Sequence, residues 1–397
     1  MNRKAIFNSV TAILTAVLIA FSALSVFAAD APALTVDAKA SCMMEVETGA
    51  VLSEHNAHDR LAPASVTKVM TILLIYEAID QGKISMADIV TVSAHAADMG
   101  GSQVFLEPLE KQTVRDLTKS IVIASANDAA VAMAEFIGGS EESFVDMMNQ
   151  KAAELGMADT SFQNACGLDA DGHFTSAYDI ALMSRELWRH YPQAFEYTTT
   201  WMDTITHTTA RGATEFGLTN TNKLVRWYNG ATGLKTGSTG KALYCLSGTA
   251  ERGGLKLVAV VLGAPSPTVR FQEVMKMFDY GFAHFKLVTG DEAGTIVGDV
   301  PVARGKRDAV PVMVAETISG IAAKGNEAVQ REATLRADIT APVAIGDTVG
   351  EVVYHYGGKE LGRSPLIAAE PAERATVSDA LRRILEITAG SRSEPAE

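Results

Sequence analysis

The order of strand-like and helix-like segments constrains the fold of this chain more than any other feature of its sequence. Residues 34–56 contain two strand-like runs around a glycine turn. Between residues 65 and 190, helical spacing of apolar residues predicts helices at about 65–80, 113–123, 128–137, 142–155 and 176–190. Two strongly apolar strands follow at 242–250 and 255–262, joined by a Glu-Arg-Gly-Gly hairpin signal. Strands, then helices, then strands predict an antiparallel sheet with helices packed against it, which is an α+β body.

Several further segments carry local signals. Alternation of apolar and polar residues predicts short strands or a hairpin at 88–109. An apolar stripe predicts a helix at 113–123, and an amphipathic pattern predicts another at 271–285. The residues around Asn220 are predicted to be loop.

The character of the sequence changes near Lys286. From there to about residue 370, only short β-type runs occur, separated by glycine-rich turns. This pattern predicts a small all-β domain after the α+β body, so we expect a multi-domain α+β protein. The predicted segments are 1–28, 29–285, 286–370 and 371–397.

The first 28 residues differ in composition from the rest of the chain. Arg3 and Lys4 precede an apolar run at 5–24, and Val26-Phe27-Ala28 offers small residues at the −3 and −1 positions. This pattern predicts a secretory signal peptide cleaved after Ala28. An uncleaved N-terminal anchor is the alternative, because the apolar run approaches the length needed to span a membrane.

Charge and cysteine content exclude some classes of protein. The formal net charge is −13 and no run rich in Lys or Arg occurs, which argues against nucleic acid as a partner. The three cysteines, Cys42, Cys166 and Cys245, are too few for a disulfide scaffold. We expect at least two of them to be buried free thiols.

No metal site is predicted. His55 and His58 have an HxxH spacing that can occur in metal sites. No acidic residue or cysteine completes the set at helical register, so a solvated loop is the favoured interpretation.

One candidate for chemistry is Ser65, which a small-residue turn delivers to the start of an apolar helix. Lys68 follows three residues later, on the same helical face. A hydroxyl beside an amine can be a base-activated nucleophile, although serine is also a common helix cap. A second copy of the spacing, Ser238 to Lys241, shows that the pair alone is weak evidence.

Two more motifs follow Ser65 and Lys68 in a fixed order. Ser125-Ala126-Asn127 interrupts a helical region, and Lys235-Thr236-Gly237 enters a core strand. Each of these two motifs occurs once in the chain. The ordered set of SxxK, SxN and KTG resembles the penicillin-binding protein and serine β-lactamase superfamily.

The resemblance extends over nearly the whole chain. Several further segments are similar to the low-molecular-mass D-alanyl-D-alanine carboxypeptidases, a serine peptidase family also designated S11. They are residues 164–173, 220–224, 233–237, 244–246 and 263–266. The predicted signal peptide, the C-terminal β domain and an amphipathic tail at 375–388 match the layout of that family.

This resemblance implies a fold, an activity and a location. The fold is a β-lactamase/penicillin-binding-protein transpeptidase-like domain with a helical subdomain, followed by the all-β domain. The activity is removal of the terminal D-Ala from peptidoglycan pentapeptide stems, with β-lactam antibiotics as covalent inhibitors and no cofactor. The location is the cell envelope, either the outer face of the cytoplasmic membrane or the periplasm or cell-wall space.

The chemistry explains why these residue types are needed. Ser65 must lose its proton as it attacks a peptide carbonyl. Lys68 can accept that proton if burial and a nearby cation, for which Lys235 is the candidate, lower its pKa. The helix N-terminus at Ser65 directs N–H groups at the developing oxyanion.

The remaining roles come from the resemblance alone. It implies that Ser125 relays a proton to the departing amine and that Asn127 holds a substrate amide. It also implies that the backbone N–H of Ser238 is the second oxyanion donor. The residues expected to receive the terminal carboxylate are Lys235 and Thr236 of the Lys235-Thr236-Gly237 motif, with Arg270 assisting.

Three alternatives remain at this point. A β-lactamase needs a fast deacylation base, in one class a glutamate after SxN, and residues 162–173 contain no glutamate. A Ser-His-Asp hydrolase is disfavoured because no G-x-S-x-G motif occurs. A non-catalytic penicillin-binding or cell-wall-binding protein would keep the fold without the reaction.

The tail at 375–388 also leaves two interpretations open. Its apolar stripe could rest on a membrane surface. It carries no aromatic residue and few cations, so a packing or oligomerising helix is the other interpretation.

Overall fold

The structure is a computed structural model that describes residues 34–209, 212–325, 327–379 and 381–382. The predicted signal peptide and most of the predicted tail helix lie outside these residues. The described residues form two compact units, one that ends at Lys286 and one that begins at Leu287. Within the described part of the chain, no helix is long and apolar enough to cross a membrane.

The first unit combines strands and helices. Its strands are β1 (Ala40–Glu45), β2 (Val51–His55), β3 (Ile89–Thr91), β4 (Lys111–Thr113), β5 (Met202–Thr209), β6 (Gly212–Thr219), β7 (Ala231–Thr239), β8 (Leu243–Arg252) and β9 (Leu255–Ala264). Its α-helices are α1 (Lys68–Asp80), α2 (Ala94–Ala97), α3 (Val114–Lys119), α4 (Asn127–Gly138), α5 (Glu141–Glu154), α6 (Ala177–His190), α7 (Phe195–Thr198), α8 (Leu224–Trp227) and α9 (Pro267–His284).

The main sheet of this unit has the order β2-β1-β9-β8-β7, and its neighbouring strands are antiparallel. The central strand β9 is almost entirely buried, as expected for a continuous apolar run in the middle of a sheet. Helix α9 packs closely on it: a Cβ atom on Gly281 would lie 2.6 Å from a methyl carbon of Leu257.

Helix α1 lies within the core of the first unit. Every residue from Lys68 to Tyr76 is buried, so the helix is surrounded by protein on all sides. A helix that is apolar all round must be enclosed in this way. The one charged side chain in that stretch, Lys68, is therefore buried with it.

Two regions of the first unit differ from the sequence predictions. At 88–109, where short strands or a hairpin were predicted, the structure has one short strand, β3. It pairs with β4, which lies beyond this range, and the short helix α2 lies between the two strands. The hairpin β5–β6 falls where no strand was predicted. Most of β6 is exposed and rich in Gly and Thr, so it lacks the apolar alternation that indicates a strand.

Two helix boundaries and one strand boundary also differ. Helix α3 ends at Lys119 and continues as a π-helical turn, Ser120–Ala124, before the SxN motif. Helix α9 starts at Pro267, because Ser266 caps it and proline is favoured at the first helical position. The KTG motif lies in the middle of β7, not at the entry to a strand.

The second unit consists mainly of strands. They are β10 (Phe285–Thr289), whose first two residues precede the boundary, β11 (Ile296–Pro301), β12 (Ala309–Val314), β13 (Ser319–Ala323), β14 (Gln330–Leu335), β15 (Thr348–Tyr356) and β16 (Lys359–Ala368). A sheet of order β11-β12-β16-β15-β14 encloses a small valine-rich core, and β10 pairs with β13. An antiparallel sheet with packed helices, followed by a small all-β unit, confirms the predicted fold class.

Candidate active site

Ser65 lies in a short 3₁₀ turn, Ala64–Thr67, that leads directly into α1. Its side chain is half-buried, whereas Ala64, Val66 and Thr67 are buried. Ala64 has a φ of 49°, a left-handed conformation that is rare for a residue with a Cβ atom. The turn therefore exposes the Ser65 hydroxyl at the surface of an otherwise closed core.

The amine of Lys68 lies against this hydroxyl. Its Nζ is 3.1 Å from Ser65 Oγ, 2.6 Å from Asn127 Oδ1 and 2.7 Å from the carbonyl oxygen of Cys166. The side chain is fully buried, and this burial lowers the pKa of Lys68 to about 8. Lys68 is thus close to the balance between its charged and neutral forms at neutral to mildly alkaline pH.

A second buried amine lies on β7. Lys235 is 1% exposed, and its Nζ donates to Ser125 Oγ at 2.7 Å and to the carbonyl oxygen of Thr236 at 3.0 Å. Burial lowers the pKa of Lys235 well below its ordinary value, and the neighbouring cations of Lys68 and Arg270 lower it further. The site therefore holds two serine hydroxyls, each beside its own lysine.

Ser125 and Asn127 are positioned by the break between α3 and α4. Ser125 has a φ of 64°, the left-handed region, and is buried. Asn127 opens α4, and its side-chain Nδ2 donates to the carbonyl oxygen of Gly100 at 2.6 Å. Strained backbone of this kind is often found where a side chain has to be held in one orientation.

Strand β7 passes directly beside the Ser65 turn. A Cβ atom on Gly237 would lie 2.9 Å from both the carbonyl oxygen of Pro63 and the backbone nitrogen of Ser65. A side chain at Gly237 would therefore push the strand away from the turn. Ser238, the next residue of β7, is exposed to solvent.

Thr236 and Arg270 complete the β7 side of the site. Thr236 Oγ1 is 2.7 Å from Thr221 Oγ1. Arg270 lies in the first turn of α9, and its Nη1 donates to the carbonyl oxygen of Gly237 at 3.0 Å. The structure thus brings together the predicted catalytic and substrate-binding residues. They lie on the Ser65 turn and the start of α1, on the Ser125 break and the start of α4, and on β7 and α9.

The segment 164–173 makes contacts in the site that the sequence did not reveal. Gly167 has a φ of 87°, and a Cβ atom there would lie only 2.0 Å from the carbonyl oxygen of Ala64. Its backbone N–H is bound by Asn164 Oδ1 at 2.6 Å. The segment is thereby held against the Ser65 turn, where the carbonyl group of Cys166 can accept from Lys68. The Asn-x-x-Gly spacing was the available signal.

His173 fixes the other end of this segment. Its Nδ1 accepts from the backbone N–H of Gln163 at 3.0 Å, so the neutral ring carries its proton on Nε2, 2.9 Å from Thr67 Oγ1. Burial lowers the pKa of His173 to about 4, which keeps the ring neutral at physiological pH. His173 is therefore a structural link to the nucleophile turn.

Asp128 is a buried carboxylate that the sequence did not single out. It is 1% exposed and accepts the backbone N–H groups of Val104 and Leu106, each at 3.1 Å. Since Asp128 follows Asn127 in α4, it ties the 104–106 loop to the SxN motif. An acidic residue in the first turn of a helix was the only available signal.

Other candidate features lie apart from these contacts. Lys241, the second member of the duplicated SxxK spacing, is exposed on the turn between β7 and β8. His55 and His58 are exposed, and the described residues contain no cluster of three metal-ligating side chains. The three cysteines are buried and unbridged.

The arrangement suits acyl transfer. A half-exposed hydroxyl lies next to a buried amine of lowered pKa, which is how a serine nucleophile is activated. A second hydroxyl, bonded to a second amine, is available for proton transfer to a leaving group.

Comparison with known families gives two matches that together cover most of the chain. The family described as D-alanyl-D-alanine carboxypeptidase matches residues 25–266. The family described as penicillin-binding protein 5, C-terminal domain, matches residues 285–374.

Individual relatives show the same similarity. The chain is 44% identical over 354 residues to D-alanyl-D-alanine carboxypeptidase DacF of Bacillus subtilis, covering 89% of this chain and 90% of that protein. It resembles the crystal structure of penicillin binding protein 5 from Haemophilus influenzae with a TM-score of 0.74 and 29% identity, covering 87% and 100% of the two chains. It also resembles cefotaxime-bound penicillin-binding protein D2 from Listeria monocytogenes, with a TM-score of 0.56 and 34% identity, over 63% and 99% of the two chains.

Proposed function

The chain belongs to the D-alanyl-D-alanine carboxypeptidase family, and we propose that it performs the reaction of this family through an acyl-enzyme on Ser65. The substrate class is a peptidoglycan stem peptide that ends in D-Ala-D-Ala. The Ser65 Oγ attacks the carbonyl carbon of the penultimate D-Ala, the terminal D-Ala leaves, and water then hydrolyses the ester. The observation that carries this proposal is the 3.1 Å contact between Ser65 Oγ and the buried Nζ of Lys68.

Lys68 is the proposed base for the attack. A neutral amine has two N–H groups and one lone pair. The N–H groups match the two oxygen acceptors, Asn127 Oδ1 and the Cys166 carbonyl, and the lone pair then faces the Ser65 hydroxyl. The proton of Ser65 moves to Nζ as the C–O bond forms, which gives an ammonium that the same acceptors stabilise.

The proposed oxyanion hole consists of the backbone N–H groups of Ser65 and Ser238. The close approach of Gly237 to the Ser65 nitrogen supports this proposal, because it brings the backbone of β7 beside the nucleophile turn. Two N–H groups that converge on one oxygen stabilise the charge that develops there during attack.

The leaving amine needs a proton, and Ser125 is the proposed donor. Ser125 Oγ accepts from Lys235 Nζ, so its own hydrogen can be directed at the departing nitrogen. Lys235 can then replace the proton that Ser125 gives up. After acylation Lys68 still holds the proton of Ser65 and Lys235 is one proton short, so proton exchange of the two amines with solvent restores the starting state.

The terminal carboxylate of the substrate is proposed to bind Lys235, Thr236 and Arg270. Its negative charge favours the protonated form of Lys235, which offsets the lowering of the Lys235 pKa by burial and by the neighbouring cations. Asn127 has a second N–H on Nδ2 besides the one given to Gly100, and we assign it to a substrate carbonyl.

The same site favours a carboxypeptidase over a β-lactamase. Among the described residues, no carboxylate oxygen hydrogen-bonds to Ser65 or Lys68. The carbonyl group of Cys166 takes the acceptor position beside Lys68 instead. We therefore expect penicillin to acylate Ser65 and to leave slowly, and rapid turnover of benzylpenicillin by the purified protein would overturn this expectation.

Export and surface contact are further parts of the proposal. We propose that the mature chain begins after Ala28 and acts in the cell envelope. Residues 375–388 either contact a membrane surface or form a packing helix. Co-sedimentation of the full chain with anionic vesicles, compared with a chain that ends at residue 374, distinguishes the two.

Release of D-alanine tests the proposed function. The purified protein should release D-alanine from a peptide ending in D-Ala-D-Ala, and Ser65→Ala should abolish both release and penicillin labelling. Lys241→Ala is the matched control, since Lys241 is exposed and lies outside the contacts described above. Penicillin labelling without D-alanine release would favour a non-catalytic penicillin-binding role.

A further inference from the structure

We propose that Glu141 is a positioning residue for acylation, because its carboxylate ties together the two loops whose carbonyl groups orient Lys68 and Asn127. The inference rests on the proposed function, since it concerns how the proposed base is held. Glu141 acts through these loops, because both of its oxygens bind groups outside the reacting set.

Glu141 is the first residue of α5 and directly follows the capping residue Ser140. An acidic residue is favoured in the first turn of a helix because it complements the helix dipole. Glu142 shares that turn and is exposed to solvent. Glu141 differs from Glu142, since its side chain is only 15% exposed and both of its oxygens accept hydrogen bonds. The helix dipole alone does not account for these two bonds.

One oxygen of Glu141 holds the segment that lies beside Lys68. Its Oε1 accepts the backbone N–H of Ala165 at 3.0 Å. The next residue is Cys166, whose carbonyl oxygen accepts from Lys68 Nζ at 2.7 Å. Ala165 and Cys166 are both 0% exposed. Loss of the carboxylate would therefore leave the N–H group of a buried residue without its acceptor, next to the carbonyl group that holds Lys68.

The other oxygen of Glu141 holds the loop that lies beside Asn127. Its Oε2 accepts from His95 Nε2 at 2.8 Å. A neutral imidazole can also carry a hydrogen on Nε2, so this bond does not require a charged ring. His95 is in α2, and backbone hydrogen bonds extend the last turn of α2 as far as Met99. The carbonyl oxygen of the next residue, Gly100, accepts from Asn127 Nδ2 at 2.6 Å.

These contacts form a closed circuit around the proposed base. Lys68 Nζ donates to Asn127 Oδ1 at 2.6 Å, and Asn127 in turn binds Gly100. The circuit then passes along α2 to Glu141 and returns to Lys68 through residues 165–166. Glu141 therefore joins two separate loops, and removal of its carboxylate opens the circuit.

An open circuit changes how the amine of Lys68 is held. The lone pair of a neutral amine faces Ser65 only while two acceptors fix its two N–H groups. A displacement of about 1 Å in such a group can lower a rate by up to about 100-fold. Weaker acceptors also stabilise the ammonium less, so the pKa of Lys68 should fall below its value of about 8. A merely structural residue would change the folded fraction and leave this pKa unchanged.

The test compares two variants with opposite properties by the rate of labelling with a fluorescent penicillin, measured from about pH 5 to about pH 10. Glu141→Asp keeps the charge, but its side chain is one methylene group shorter and should not reach both partners. Glu141→Gln loses the charge and keeps the length. Its amide oxygen can still accept from Ala165, and its amide N–H can donate to the ring of His95. Length, not charge, should therefore decide the outcome.

Glu141→Asp should lower the labelling rate at high pH about tenfold and move the midpoint of the pH profile down by about one unit. Glu141→Gln should stay within about threefold of the parent rate, with its midpoint near pH 8. Glu142→Ala is the matched control, since it removes a carboxylate from the same helical turn, and it should match the parent protein. Rates are compared per labelled molecule at completion, so that an unfolded fraction does not count.

The outcomes separate this inference from the proposed function. A parental rate and midpoint in Glu141→Asp would overturn the inference and leave the proposed function intact. A loss in Glu141→Gln as large as that in Glu141→Asp would also overturn it, because the length of the side chain would then not be decisive. A tenfold loss with an unchanged midpoint would leave Glu141 a structural role only. Absence of labelling at Ser65 in the parent protein would reject both the proposed function and the role of Glu141.

Discussion

The lowered pKa of Lys68 makes a quantitative prediction about the pH dependence of acylation. With a pKa of about 8, the neutral fraction of Lys68 is about 1% at pH 6 and about 50% at pH 8. Because the neutral amine is the proposed base, the rate of acylation by penicillin should rise about 50-fold over this range. Above pH 8 it should rise by no more than about twofold.

The levelling of the acylation rate above pH 8 distinguishes a lysine of lowered pKa from an ordinary lysine. A lysine with its ordinary pKa of 10.5 would give a further rise of about 75-fold between pH 8 and pH 10. The assay is labelling by a fluorescent penicillin at limiting times, read on gels or by intact mass. A rate that is constant from pH 6 to pH 8, or that keeps rising tenfold per pH unit above pH 9, would refute the assignment of Lys68 as the base. Lys241→Ala should give the same profile as the parent protein.

The same pKa shift is also a statement about stability. Between pH 8 and pH 10.5 the unfolded chain binds more protons than the folded one, so stability should increase with pH through this window. Below pH 8 burial of the charged amine destabilises the folded protein by its full amount, about 3 kcal/mol, because the pKa of Lys68 is lowered from 10.5 to about 8. Lys68→Met should therefore unfold at higher urea concentration while losing acylation, and a destabilised variant would show that the contacts of Lys68 outweigh its burial.

Three further changes test separate parts of the site. Gly167→Ala puts a methyl group against the carbonyl oxygen of Ala64. Urea unfolding should therefore show a loss of stability of at least about 2 kcal/mol, and penicillin labelling should fall. A variant with unchanged stability and labelling would contradict the close packing. Asp128→Ala leaves two buried N–H groups without their acceptor, so the free energy of unfolding in urea should fall by about 2–4 kcal/mol. A fall below about 0.5 kcal/mol would mean that other contacts hold the 104–106 loop. Arg270→Ala should lower kcat/KM about tenfold for a peptide with a free terminal carboxylate. The control is the same peptide with an amidated C-terminus. An equal loss of kcat/KM on both peptides would show that Arg270 does not bind the carboxylate.

The parts of the site that the sequence predicted are those carried by side chains in ordered motifs. Ser65 and Lys68 are three residues apart on one helical face, so their contact follows from helix geometry. Lys235 and Ser125 are 110 residues apart, and only the resemblance to a family brought them together before the structure did.

The parts that the sequence did not predict are mainly backbone groups. The carbonyl oxygens of Cys166 and Gly100 bind Lys68 and Asn127, but a carbonyl group leaves no mark on the residue type that carries it. The close approach of Gly167 to Ala64 depends on how two distant segments pack. Such contacts require the fold before they can be recognised.

The fold likewise has elements that the sequence predicted and elements that it did not. The buried strands β8 and β9 and the helices α5 and α6 were predicted near their true positions, because their apolar patterns are long and regular. The exposed hairpin β5–β6 was missed, since its register is set by pairing with itself and by Glu110 and Gln112, not by an apolar face.

The measurement that tests the central proposal most directly is the intact mass of the protein after reaction with benzylpenicillin, followed by mapping of the modified peptide. We predict one adduct per chain, on the peptide that contains Ser65, and a lifetime long enough to survive digestion at low pH. Ser65→Ala should carry no adduct. An adduct on a different serine, such as Ser238, or no adduct on a folded protein would contradict the account.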